Sequence, residues 1–132
     1  ACADGYVRLC IMAPRQWRGM WEWMGRPDAF AGSEWEKLQT RFRSPDLIPA
    51  IAALLATKTR AEVEAEAAAH GVPAAALLDL DEGIANEQIV ARGAFKPVAV
   101  AGIPVPMPDG AVEIDGQRTG PRGGAPDLSA TR

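Results

Sequence analysis

The sequence predicts an α+β fold of short strands and several helices, and three observations carry that reading. Residues 6–12 alternate as a strand does, with Val7, Leu9 and Ile11 on one face and Arg8, Cys10 and Met12 on the other. Residues 14–92 hold a succession of helix starts, apolar faces and glycine stops. Beyond Phe95 the alternation returns, broken by prolines and Asp-Gly turns.

Asp4-Gly5 forms the turn before the first strand. Pro14 opens a helix at a position where a missing N–H does no harm. Trp17, Met20, Trp21 and Met24 make its apolar stripe, and Gly25 and Pro27 end it. Trp23 falls off that stripe and is expected on a surface that another domain covers. Ser33 and Glu36 have capping-box spacing and predict a short helix carrying Trp35, Leu38 and Phe42. Pro49 decides where the next helix starts. With Asp46 as the cap it lies in the first turn and is tolerated, and Ile48, Ile51, Leu54 and Leu55 share a face.

Thr59 and Glu62 predict a second capping box, opening an Ala-rich helix that ends at His70-Gly71. Residues 72–78 include a short buried extended piece. Residues 79–85 form a short helix or turn, and Asn86 caps another short helix stopped by Gly93. Val98 and Val100 read as a strand. Pro104, Pro106 and Pro108 exclude a central strand and favour an extended edge. Asp109-Gly110 and Asp115-Gly116 are turns flanking Val112 and Ile114, and residues 119–132 read as irregular.

A chain of 132 residues fits one domain with its own core. Its 48% hydrophobic and 23% charged residues are ordinary for a globular protein. The net charge of −3 is spread along the chain, so no basic stripe invites nucleic acid. No apolar run reaches membrane-spanning length. Two cysteines, Cys2 and Cys10, make no disulfide framework, and a reducing cytoplasm is the simplest compartment. Cys10 is expected to be a small buried hydrophobe.

These residues build no self-contained active site. His70, the one histidine, stands at a helix C-terminus, where the helix dipole favours a cation and a structural role is expected. No Cys/His cluster has metal-ligand spacing. Asp79/Asp81 and Glu64/Glu66 are two apart, do not face the same way on a helix, and read as solvated charges. Arg122-Gly123-Gly124 lacks the strand and helix that a phosphate loop needs. The expected catalytic and metal-binding sets are therefore empty.

Seven short segments stand in a telling order: Asp4-Gly5-Tyr6-Val7-Arg8-Leu9, Pro14-Arg15-Gln16-Trp17, Gly25-Arg26-Pro27-Asp28, Thr59-Arg60-Ala61-Glu62-Val63, His70-Gly71-Val72-Pro73-Ala74, Ala91-Arg92-Gly93-Ala94-Phe95 and Ala125-Pro126-Asp127-Leu128-Ser129-Ala130-Thr131. Together they resemble the small domain of the class III CoA-transferases, a family that includes formyl-CoA and carnitine CoA-transferases and α-methylacyl-CoA racemases. Ser129 stands where the family usually has Gly. The resemblance implies a small domain over residues 1–118 and an irregular return segment over 119–132. It implies that a large domain of the same protein supplies the catalytic aspartate, which attacks an acyl-CoA thioester and passes through covalent intermediates. It further implies an interlocked homodimer, CoA and acyl-CoA as substrates, no covalently bound cofactor, and a substrate-enclosing turn made by Met12, Ala13 and Arg15. Arg15 would contact a CoA phosphate or an acid substrate. The racemases carry Glu directly before the Pro, whereas Ala13 occupies that position here and moves no proton. A transferase is therefore favoured over a racemase, with a non-catalytic interaction module as the remaining reading.

Overall fold

The structure, a computed structural model, describes residues 1–126. Residues 127–131 of the return motif lie outside the described residues. Two compact units divide the chain, Ala1–Leu77 and Leu78–Arg132.

In the first unit, strand β1 (Val7–Leu9) pairs antiparallel with β2 (Ala74–Ala76), with Val7 opposite Ala76 and Leu9 opposite Ala74. Between them run helices α1 (Pro14–Trp23), α2 (Leu38–Arg43), α3 (Leu47–Leu55) and α4 (Arg60–Ala69). Helix α1 ends as its sequence predicts. Gly25 takes φ 83°, its N–H bonds the Glu22 carbonyl, and the Arg26 N–H bonds that of Trp21. This is a Schellman stop, which a glycine adopts without the strain a Cβ brings. Trp17, Met20, Trp23, Phe30, Leu47, Leu55, Val63, Ala67 and Val72 form the core.

Trp23 corrects the expectation of a covered surface residue: it is 7% exposed. Its ring stacks on His70, with centroids 5.9 Å apart, and its Nε1–H donates to Glu66 Oε2 at 2.7 Å. A single stripe describes a helix with one neighbour. Helix α1 instead meets α4 on one side and Trp35 on the other. Trp21 and Met24, from the predicted stripe, are half-buried.

The capping box expected at Ser33 and Glu36 does not form. Ser33–Glu36 is a 3-10 turn behind Gly32, and Glu36 pairs instead with Arg18 at 2.6 Å. Lys37 is extended, so α2 starts afresh and leaves Phe42 exposed. Asp46 is the residue before α3, as expected, but the Ser44 Oγ accepts the N–H groups of Asp46 and Leu47. Leu47, rather than Ile48, joins the buried face of α3. The Thr59–Glu62 box forms as predicted and contributes about 1 kcal/mol. The Asp4 carboxylate accepts the Arg60 N–H at 2.8 Å, tying the turn before β1 to the start of α4.

Glu64 and Glu66 are more than solvated charges. Glu64 accepts the Ala76 N–H at 2.8 Å, and Glu66 accepts from Lys58 Nζ and Trp23 at 2.7 Å each. Hydrogen bonds from Lys58 and then Trp23 hold the Glu66 carboxyl below its usual range. Bonds from the Thr59 backbone and side chain do the same for Glu62. A carboxyl depressed in the folded state stabilises it above the unfolded pKa and loses that contribution as pH falls through the folded value. Stability should therefore decline below about pH 4.3, the ordinary glutamate value. A variant carrying Glu62→Gln and Glu66→Gln should show a flatter acid limb in urea titrations. Parallel limbs for the two proteins would contradict these assignments.

The second unit contains α5 (Leu80–Ala85), α6 (Glu87–Ala91), the hairpin β3 (Phe95–Val100) with β4 (Ile103–Pro108), and the hairpin β5 (Glu113–Ile114) with β6 (Gln117–Arg118). Asp79 and Asn86 cap the two helices. Pro104, Pro106 and Pro108 face Ala99, Pro97 and Phe95 on a two-stranded ladder, so β4 is an edge as the prolines require. Asp115 and Gly116 both take positive φ, the turn that Asp-Gly favours. The hairpin turn at Ala101-Gly102 was not signalled, because Ala101 at φ 49° is an unusual occupant. Residues 119–126 carry no regular element. None of the described residues of this unit is buried, and Leu80, Val90, Ile103 and Ile114 are strongly exposed.

Candidate functional site

The turn joining β1 to α1 brings Met12, Ala13 and Arg15 together. It is held from two sides. The Gln16 side chain reaches back from the first turn of α1, and its Oε1 accepts the N–H groups of Met12 and Ala13 at 2.8 Å each. From the other side comes Arg41 of α2, which is 6% exposed. Its Nη2 donates to the carbonyls of Ile11 at 3.0 Å and Met12 at 3.1 Å, and its Nη1 donates to that of Trp35 at 2.6 Å. The guanidinium carbon lies 5.5 Å from the centroid of the Trp17 ring. Desolvation by burial lowers the pKa of Arg41 from the usual arginine value.

This bonding limits what the turn can do. The N–H groups of Met12 and Ala13 are spent on Gln16, so they are not free to cradle an oxyanion. Ala13 offers only a methyl group. The Met12 side chain is exposed beside a groove of about 540 Å³ lined by Leu9, Ile11, Phe42, Ile48 and Ile51 among others. Arg15 is exposed in the first turn of α1, with no ion pair to another described residue. A second groove of about 580 Å³, which none of Met12, Ala13 and Arg15 lines, has Lys37 and Arg43 on its wall.

Cys10 corrects an expectation: it is exposed. It lies on the face of the strand opposite Val7, Leu9 and Ile11, which pack on the core. His70 caps α4, and its Nδ1 lies 2.8 Å from the Glu66 carbonyl, a structural placement. Among the described residues no three metal-ligating groups converge, and no helix is long and apolar enough to cross a membrane.

Gln16 and Arg41 escaped the sequence reading. Gln16 had a local signal, three residues after Ala13, where a side chain can return to the N–H groups ahead of a helix. Arg41 had none, being 29 and 30 residues from the two turn carbonyls it holds.

A family model described as CoA-transferase family III matches residues 1–132. A Mycobacterium tuberculosis protein named probable CoA-transferase Rv1866 is 39% identical over 127 residues, which are 95% of this chain and 16% of that protein. The crystal structure of Rv3272 from M. tuberculosis in its orthorhombic form superposes with a TM-score of 0.72 at 18% identity, over 89% of this chain and 34% of that one. A second crystal structure of Rv3272, described as a hypothetical protein, gives 0.69 at 20% identity over 89% and 33%. The chain thus spans about a sixth of the curated relative and a third of the solved ones, and the structural likeness shows an α+β fold in common.

Proposed function

The chain belongs to CoA-transferase family III, and from that premise we propose that it is the small domain of an acyl-CoA:carboxylate CoA-transferase. The observation that carries this reading is the turn held by Gln16 and Arg41, which presents Met12 and Arg15 outward and holds no nucleophile. Such a turn forms a wall of a substrate site whose reacting carboxylate comes from elsewhere. In this reading a large domain of the same protein supplies the aspartate, residues 1–118 are the small domain, and residues 119–132 are its return segment.

Arg15 supports the same reading. A cation in the first turn of a helix is disfavoured by the helix dipole. Here it stands exposed without an acidic partner among the described residues, and a CoA phosphate or carboxylate substrate would supply one. The exposed apolar residues of the second unit fit a face that the rest of a longer protein covers. The substrate is a CoA thioester, no cofactor is covalently bound, the assembly is an interlocked homodimer, and the compartment is the cytoplasm.

The test uses the full-length protein that carries this chain, assayed for CoA transfer from an acyl-CoA to a free carboxylic acid. The full-length protein should turn over and the 132-residue chain alone should not. Replacing Arg15 with Ala should raise KM for the acyl-CoA roughly tenfold, the loss of one charge-assisted hydrogen bond. Turnover by the isolated chain would contradict the reading. So would exchange of the α-proton for deuterium without transfer, which marks a racemase.

A further inference from the structure

We propose that Arg41 is a positioning residue, a buried guanidinium that sets the shape of the Met12–Ala13 turn and through it the wall offered to the acyl-CoA; the functional half of this rests on the reading of that turn as a substrate wall. Its side chain joins two separate backbone segments through three carbonyls. It donates to Ile11 and Met12 on one side and to Trp35 on the other. The Trp17 ring lies beneath it. A buried arginine is rare unless its donors are satisfied, and here carbonyls satisfy it instead of a carboxylate. Carbonyls at the end of a strand have no ladder partner, so a guanidinium fork aimed at two of them fixes their direction. Gln16 binds the N–H groups of the same turn. Together the two side chains specify both the donors and the acceptors of Met12. Lysine, with one nitrogen and no planar fork, cannot span Trp35, Ile11 and Met12 together.

Two readouts test this. Hydrogen–deuterium exchange on the 132-residue chain should show residues 10–16 exchanging roughly tenfold faster in Arg41→Lys than in wild type, with residues 60–69 unchanged. In the full-length protein, Arg41→Lys should raise KM for acyl-CoA roughly tenfold, because the displaced turn no longer presents Arg15 for its charged hydrogen bond, with kcat close to wild type. Arg43→Lys, an exposed neighbour on the same helix, should change neither. If Arg41→Lys does not fold, NMR of the wild-type chain decides the structural half: the Arg41 Nη protons should be protected from solvent exchange, and averaged, unprotected signals overturn the proposal. Unchanged exchange in residues 10–16 overturns it too and leaves the substrate-wall reading standing. Faster exchange with unchanged KM, while Arg15→Ala raises KM, also overturns it. Faster exchange with KM unchanged in both variants overturns the substrate-wall reading, and the functional half of this proposal with it.

Discussion

A Gly19→Ala variant is expected to lose about 3 kcal/mol of stability. Helix propensity alone points the other way, favouring alanine inside a helix by about 1 kcal/mol. The packing decides the sign. A Cβ on Gly19 would run into the carbonyl oxygen of His70 and come within 3.1 Å of its carbon and 3.6 Å of the Val72 Cγ2. That oxygen is backbone at the end of α4, held by the chain on either side, and cannot rotate away. Relief requires α1 and α4 to separate. The separation would open the contacts of Met20, Val63 and Ala67, all of them fully buried. Gly19→Ser should behave like Gly19→Ala. Urea unfolding measures both, and an alanine variant as stable as wild type would show that the helices do not approach this closely.

Trp17→Ala should cost about 3–5 kcal/mol, the range for removing a buried large aromatic. Trp17 is 2% exposed, and its ring stacks on Trp35 with centroids 5.8 Å apart. It also floors the Arg41 guanidinium, so the variant removes core volume and loosens support for the Met12 turn together. Trp17→Phe should lose less, because most of the volume and a ring face remain. Phe42→Ala is the contrast. Its ring is 77% exposed, and its removal should change stability by no more than about 0.5 kcal/mol. Equal losses at the two positions, read from thermal or urea unfolding of the chain, would count against the core described above.

The helix caps and turns that were legible in the sequence share one property: their hydrogen bonds close within a few residues. Thr59 and Glu62 cap α4, Asn86 caps α6, and Gly25, Gly71 and Gly93 take the positive φ their positions call for. Asp115-Gly116 turns a hairpin. Spacing encodes such features because the partners sit three or four positions apart.

Where the reading failed, a distant partner had intervened. Glu36 was matched to Ser33 but reaches Arg18, 18 residues away. Trp23 was placed on a surface but bonds Glu66, 43 residues away. Cys10 was placed in the core, yet only the opposite face of its strand packs inward. For the candidate site, Met12, Ala13 and Arg15 were legible as a turn through the family resemblance, while Arg41 was not.

By itself the sequence determined the α+β class, the order of the elements, most helix ends and the family to which the chain belongs. Tertiary structure alone decided which side of α1 is buried, why residue 19 must lack a side chain, and how the turn of Met12 is held from both sides. The division has a physical cause. Backbone bonds near a helix end depend on neighbours along the chain, whereas burial and the reach of a guanidinium depend on which helices meet.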